Sequence, residues 1–251
     1  MRRLVLALLA LALATSACGG QGEGGAPSGE KASGETASLW VTRDRGAVLL
    51  LRAEVPAGLT VLEALKREAD VETRYGGRFV QAIDGIEGGL AKGADWFYFM
   101  NGIEPSIGSA SVTLRPGDIA WWDFRSWRER MQQPVVVGAF PEPFLHGFAG
   151  RRRPVEVLHP PELAAEAEGL RRLLGDGGSG EPNRFVLHVK GGARGAALTA
   201  KRGAANDSPV TFELVGSLEA VRAAAARLAA DPAIVRYRYE ARFDERGVVR
   251  E

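Results

Sequence analysis

The sequence predicts an α+β fold: paired strands crossed by a single helix, followed by a second small α/β sandwich. Three observations carry that expectation. Between residues 40 and 124, short β-branched and aromatic runs are separated by Asp-Gly, Asn-Gly and Pro-Gly turn chemistry. One helical stretch, opened by a capping box at Thr60, interrupts them. Beyond Pro134, strand-like runs alternate with two further helical stretches.

The first 38 residues precede this folded part and read as export and anchoring. Met1-Arg2-Arg3 is a charged start, and from Leu4 no polar residue occurs until Thr15. The apolar run falls short of the roughly 20 residues a membrane-spanning helix needs, and it ends in small side chains. Those are the parts of a secretory signal peptide, here residues 1–17; a short buried helix of the mature fold is the alternative. Thr15-Ser16-Ala17-Cys18, followed by Gly19, resembles the lipobox of bacterial lipoproteins, with Thr15 standing where leucine is usual. The resemblance implies that Cys18 is acylated and that the lipid bilayer is a partner, at the extracytoplasmic face of the cell membrane. Cys18 is also the sole cysteine. An unpaired cysteine in an exported chain needs an explanation, which lipidation supplies; an ordinary signal peptide with an incidental cysteine is the other reading. Residues 18–38 are dominated by glycine, serine, alanine and glutamate and cannot bury enough apolar surface to order, so a flexible tether is expected, with a reach of roughly 25 Å.

Residues 39–130 form the first expected domain. Residues 40–42 and 47–55 are β-rich, with turn chemistry at Asp44-Arg45-Gly46 and a stop at Pro56-Ala57-Gly58. The helix runs to about Ala69 with Val61, Leu62, Leu65 and Ala69 on one stripe. Strands follow at residues 79–83, 96–100, 111–115 and 119–124, broken by Asp84-Gly85, Asn101-Gly102 and Pro116-Gly117-Asp118. Asn-Gly suits the two positive-φ positions of a type I′ turn. Two strands, one helix and further strands is the β-grasp order.

Four pieces in that order carry a resemblance: the run from Gly58 to Leu65, Ile83-Asp84-Gly85-Ile86, Trp96-Phe97-Tyr98-Phe99-Met100-Asn101-Gly102, and Arg115-Pro116-Gly117-Asp118 with Trp121. Residues 39–127 resemble the bacterial domain similar to the C-terminal β-domain of transcobalamin and intrinsic factor. The resemblance implies a ligand-binding β-grasp module. In the vertebrate carriers that domain closes over cobalamin seated on a larger helical domain, for which the tether leaves no room here.

Residues 134–251 belong to no family recognisable from sequence. Strands are expected at residues 134–140, 155–158, 185–189 and 210–215, and helices at 162–174 and from Ser217 to about Ala230. Lys190-Gly191-Gly192-Ala193-Arg194-Gly195 lacks the spacing of a phosphate-binding loop and reads as a β-hairpin turn. A last strand alternates, with Val235, Tyr237, Tyr239, Ala241 and Phe243 inward and Arg236, Arg238, Glu240 and Arg242 outward. The pattern suggests a split βαβ arrangement.

Chemistry-bearing motifs are sparse. The three histidines are scattered, there is no cysteine cluster, and no G-x-S-x-G elbow occurs, so neither a metal centre nor catalysis is expected. A formal net charge of +1 gives no reason to expect nucleic acid. The candidate ligand-binding residues are Trp96, Tyr98, Asn101, Trp121 and Trp122. Aromatics on an open sheet face would stack a flat ligand, whereas on a covered face they are plain core. Two functions stay open. One is a lipid-anchored binding protein that presents cobalamin or another small cofactor to a membrane importer. The other is a cell-envelope protein–protein interaction module with no small ligand.

Overall fold

Asp44 and Arg45 both adopt left-handed backbone, with φ of 58° and 59°, and Gly46 follows at 84°. That turn folds strand β1 (Thr36–Arg43) antiparallel onto β2 (Val48–Pro56). The computed structural model describes residues 34–128, 130–148, 150–175, 182–203, 205 and 208–250. The signal peptide, nearly all of the tether and Cys18 lie outside the described residues.

Helix α1 (Val61–Glu68) begins as its capping box predicts: the Glu63 amide donates to Thr60 Oγ1 at 3.2 Å, and the Thr60 amide donates to Glu63 Oε2 at 2.8 Å. The box satisfies two amides that the first turn would otherwise leave open. Strands β3 (Val71–Arg74), β4 (Phe79–Ile83) and β5 (Ile86–Glu87) make a small separate sheet, with Asp84-Gly85 as the β4–β5 turn. Strands β6 (Ala94–Met100) and β7 (Ile119–Ser126) complete the main sheet, in the order β2-β1-β7-β6 with β1 and β7 parallel. A single helix on a mixed sheet in this order is the β-grasp arrangement expected.

The strand expected at residues 111–115 is not formed. The chain makes a 3-10 turn at Ser109–Ser111, and the amides of Val61 and Leu114 then exchange with carbonyls across residues 58–61 and 112–114. Those backbone groups pair with the lead-in to α1, which leaves none for the sheet.

Of the segment 134–140, residues 135–140 are buried, but it is not a strand. Val135, Val136, Val137 and Ala139 are at most 1% exposed. The Val136 amide donates to Gly102 O at 2.8 Å and the Val137 amide to Tyr239 O at 3.3 Å. Its hydrogen bonds go alternately to the two halves of the molecule, so it crosses between sheets instead of joining one.

The second half contains β8 (Val155–Leu158), α2 (Ala164–Leu174), β9 (Phe185–Gly191), β10 (Ala196–Arg202), β11 (Val210–Gly216), α3 (Leu218–Ala230), β12 (Ala241–Phe243) and β13 (Val249–Arg250). A 3-10 turn over Pro161–Leu163 leads α2 in, and left-handed Gly175 ends it. The sheet order is β13-β12-β10-β11-β9-β8. Strand β11 lies between β9 and β10, so the glycine-rich segment at Lys190 to Gly195 spans one strand and is not a hairpin turn. Strands β11 and β12 flank β10 with α3 between them in sequence, which is the split βαβ arrangement.

The last expected strand is shorter than its alternation suggests. A 3-10 turn occupies Pro232–Val235, and Tyr237 has a φ of 64°, so extended pairing begins only at Ala241. The alternation in burial survives only in part: Val235, Tyr239, Ala241 and Phe243 are buried and Glu240 and Arg242 exposed, while Arg236, Tyr237 and Arg238 are all half-buried.

Register explains how the first sheet is covered. Trp40 and Phe99 are both level with Trp121, and Val41 and Tyr98 are both level with Trp122. Alternation sends the two rows to opposite faces. Trp122, Val41, Trp96 and Met100 pack with Leu62 and Leu65 of α1. Trp40, Phe99 and Trp121 pack with Val136, Ala139 and Tyr239 of the second half. Tyr239 meets Phe99 and Trp121 edge-on at centroid distances of 5.6 and 5.7 Å, contacts worth roughly 0.5–1.5 kcal/mol each beyond area burial. The described residues accordingly fall within one compact unit.

Candidate functional site

Where β6 ends, Asn101 and Gly102 take φ of 50° and 77° and the chain doubles back, with Met100 and Ile103 exchanging both backbone hydrogen bonds. The left-handed Asn101 keeps its side chain inside the fold at 2% exposure. Its Nδ2 donates to Asp118 Oδ1 at 2.8 Å and to Gly147 O at 2.9 Å, and its Oδ1 accepts from the Ile119 amide at 2.8 Å. Asp118 Oδ2 accepts from the Arg115 amide at 2.8 Å. One buried amide therefore locks three segments together: the β6 end, the turn before β7, and the chain at Gly147.

Above this lock lies a cleft of about 270 Å³. Met100, Ile107, Val112 and Phe148 supply apolar walls, and Ser111, Thr113 and Arg115 supply polar groups. Arg115 Nη1 donates to Gly150 O at 3.1 Å, and a Cβ at Gly150 would overlap the guanidinium. Glycine there lets the arginine lie across the rim. Arg115 has no carboxylate partner among the described residues, so its remaining donors are available.

Beneath the site, Glu142 is buried, and its carboxylate accepts from the His146 amide at 3.0 Å and contacts His146 Nδ1 at 2.5 Å. Burial pushes the Glu142 carboxyl above its ordinary value, and the charge of Asp118 adds to that, against the hydrogen bonds and charge of His146. The imidazole stacks over Gly117, where any Cβ would meet it.

Of the residues singled out from sequence, Asn101 alone lines this cleft. Trp96 is buried under α1, its Nε1 donating to Ile86 O at 2.7 Å. Tyr98 stacks on Trp122 with centroids 5.1 Å apart and planes inclined by 28°, and its hydroxyl donates to Ile107 O at 2.5 Å. It shapes the Ile107 wall from behind, and burial pushes its phenol upward. Trp122 belongs to the helix-side core. Trp121 lies in the opposite core, donating from Nε1 to Thr42 Oγ1 at 2.8 Å. The aromatics are covered on both faces, and the cleft lies at their edge. Arg115 and Phe148 were not singled out. Arg115 belongs to a turn motif that drew attention for its shape, and Phe148 reaches the cleft only through the tertiary fold.

Among the described residues, no three His, Cys, Asp or Glu side chains are grouped to hold a metal ion. Among the same residues, no helix is long and apolar enough to cross a membrane.

Comparison with known proteins places these elements in context. A family model described as a domain of unknown function (DUF4430) matches residues 58–126, from the lead-in of α1 through β7. That span lies within residues 39–130, the first domain expected from the sequence. No curated protein matches. Among solved structures, one that matches is a protein of Ruminococcus gnavus ATCC 29149, provisionally described as metal-binding. It is 15% identical, with 37% of this chain and 97% of that chain covered and a TM-score of 0.31.

Proposed function

We propose that this chain is a ligand-binding lipoprotein, held at the extracytoplasmic face of the cell membrane by acyl chains on Cys18. It binds a small molecule in the cleft beside Asn101 and presents it to a membrane importer, with no chemical turnover. The observation that carries the reading is the cleft itself: apolar walls from both halves converge on a buried polar lock, with an unpaired guanidinium at the rim. Such a mix of apolar lining and a few oriented polar groups is what small-molecule sites require.

The volume narrows the ligand. At about 270 Å³ the cleft lies just below the roughly 300–1,000 Å³ of drug-sized sites. It suits a compact molecule, or one edge of a larger cofactor such as cobalamin, with an acceptor group facing Arg115.

Thermal unfolding with cobalamin and a panel of small flat cofactors tests the reading. A ligand at a hundred times its dissociation constant adds about 2.7 kcal/mol, and Ser111→Trp, which fills the cleft, should abolish that gain. A panel with no response in the wild type would remove the proposal. Anchoring is tested separately: Cys18→Ser should release the chain from the membrane fraction and block incorporation of labelled palmitate.

A second reading, docking of an envelope protein, is favoured by one feature. Leu49 and Leu50 are 47% and 41% exposed on β2, which is the open edge of its sheet. Such an edge can accept an added strand.

A further inference from the structure

A second cleft, remote in chemistry from the first, opens where the β1–β2 turn meets residues 236–240. Its volume is about 930 Å³, and Arg45, Arg130, Arg236 and Arg238 line it together with Tyr237 and Tyr239. The sequence gives no hint of the grouping, because the four arginines come from three separate stretches and the chain as a whole is almost neutral, at +1.

The cationic surplus is real once the nearby carboxylates are assigned. Glu240 lies on the rim but pairs with Arg242 at 3.3 Å, and Asp44 pairs with Arg43 at 3.7 Å. Asp123 lies buried beneath, accepting from Thr42, Gly46 and Tyr239. Glu104 faces Arg125 at 3.8 Å. None of the four cleft arginines is within ion-pair distance of a carboxylate among the described residues.

Three of the guanidiniums are held in place by neutral groups. Gln133 Oε1 accepts from Arg45 Nη2 at 3.4 Å and from Arg130 Nη1 at 3.2 Å. Its own Nε2 donates to Val135 O at 2.9 Å, which turns the oxygen toward the two arginines. Arg45 stacks 4.3 Å above the Tyr239 ring, and Arg236 lies 5.6 Å from the Trp40 ring. The backbone is equally constrained. Tyr237 is a non-glycine residue with a φ of 64°, and a Cβ at Gly46 would overlap its carbonyl oxygen. Strained positions of this kind persist where the surroundings over-determine them, and they concentrate at binding sites.

We propose that this cleft binds an anion bearing at least two phosphoryl groups. Guanidinium forks match phosphate oxygens two at a time, and four like charges around one opening repel each other until an anion enters. The volume exceeds the needs of a single phosphate. The same chemistry is offered by soluble polyphosphorylated molecules and by phospholipid headgroups.

Calorimetric titration of the full chain with inorganic tripolyphosphate, at constant ionic strength, tests the proposal. The wild type should bind, and Arg236→Gln/Arg238→Gln should lose at least tenfold in affinity while melting at or above the wild-type temperature without ligand. Arg222→Gln/Arg227→Gln, which removes the same charge from α3, should bind as the wild type does. Equal affinity in the wild type and both variants, or no heat at all, would overturn the assignment to this cleft. Repeating the titration with phosphatidylcholine vesicles, with and without cardiolipin, whose headgroup carries two phosphoryl groups, separates the sources. Loss of tripolyphosphate binding only with the anionic vesicles identifies a headgroup; unchanged binding identifies a soluble anion.

Discussion

The Tyr239 hydroxyl donates to Asp123 Oδ2 at 2.7 Å, a buried bond between residues 116 positions apart. The other carboxylate oxygen accepts from Thr42 Oγ1 at 2.6 Å and from the Gly46 amide at 3.0 Å. Thr42 Oγ1 in turn accepts from Trp121 Nε1. One carboxylate therefore joins β1, β7, the β1–β2 turn and the segment that follows α3. The phenol is pushed up by burial and by the carboxylate beside it.

Removing the acceptor should cost more than removing the donor. Asp123→Ala strands the Thr42, Gly46 and Tyr239 donors in the interior and should destabilise by roughly 3 kcal/mol or more, whereas Tyr239→Phe strands one carboxylate oxygen and should cost about 1–2 kcal/mol. Urea unfolding of both singles and the double measures their coupling. Additive effects would show that the bond contributes nothing of its own.

Gly46→Ala acts on the same junction through the backbone. The residue sits at a φ of 84° and its Cβ would collide with the Tyr237 carbonyl, which is main chain and cannot rotate away. The expected loss is about 2 kcal/mol or more. Because the turn carries Arg45, tripolyphosphate affinity should fall with it. A variant as stable as the wild type would show that the turn and residues 236–240 are not in contact.

The buried and half-buried carboxyls give stability an acid-side optimum. Desolvation raises Glu104 and Asp123, as it does Glu142. A carboxyl with a raised folded value stabilises fully below its unfolded value and loses that contribution as pH rises through the folded one. Glu63, Glu213, Asp244 and Glu245 are lowered, chiefly by hydrogen bonds. Their contribution is present above their unfolded values and is lost as pH falls through the folded ones. Stability should peak at about pH 4–5, near the unfolded carboxyl range, and decline toward neutral. Melting temperatures across pH 3–8 check this, and Asp123→Asn should flatten the decline on the alkaline side.

Much of the fold is written locally, and most of the sites are not. The Thr60–Glu63 box and the Asp44, Asp84 and Asn101 turns act within a few residues, so α1 and the hairpins follow from short windows. Burial alternation reads correctly over residues 239–243, where the chain is extended, but not at Arg236, Tyr237 and Arg238, which are all half-buried around the left-handed Tyr237. It did not reveal that residues 134–140 bond to two different halves, or that β11 inserts between β9 and β10, since pairing partners are non-local. The candidate aromatics could serve as a ligand face or as plain core, and register decides it: Trp96, Tyr98 and Trp122 belong to the helix-side core and Trp121 to the opposite one. Arg115 and Phe148, and the four arginines of the second cleft, meet only after the halves pack.

Arg125 is the one cation sealed inside the fold among the described residues, at 1% exposure. It lies 3.7 Å from the Phe97 ring and donates to Arg130 O and Met131 O, each at 2.9 Å. Arg125→Met should cost about 3–5 kcal/mol, because Glu104 is left without its cation and two carbonyls lose their donor. Arg125→Met/Glu104→Leu should recover part of that loss in guanidinium unfolding. A double variant no more stable than the single would remove the buried charge as the cause.

Asn101→Asp tests the lock under the first cleft. The amide Nδ2 gives hydrogens to a carboxylate and a carbonyl at once, and a carboxylate in its place has none to give. Two anionic oxygens would then face each other across the 2.8 Å now spanned by the Asn101–Asp118 bond. The variant should lose roughly 2–4 kcal/mol at neutral pH, and one of the two carboxyls should take up a proton well above its ordinary range. That proton restores a donor, so stability and ligand response should both recover as pH falls toward about 5. Parallel urea melts at pH 7 and pH 5 measure the recovery. A deficit equal at both values would mean that repulsion at the lock is not what destabilises the variant.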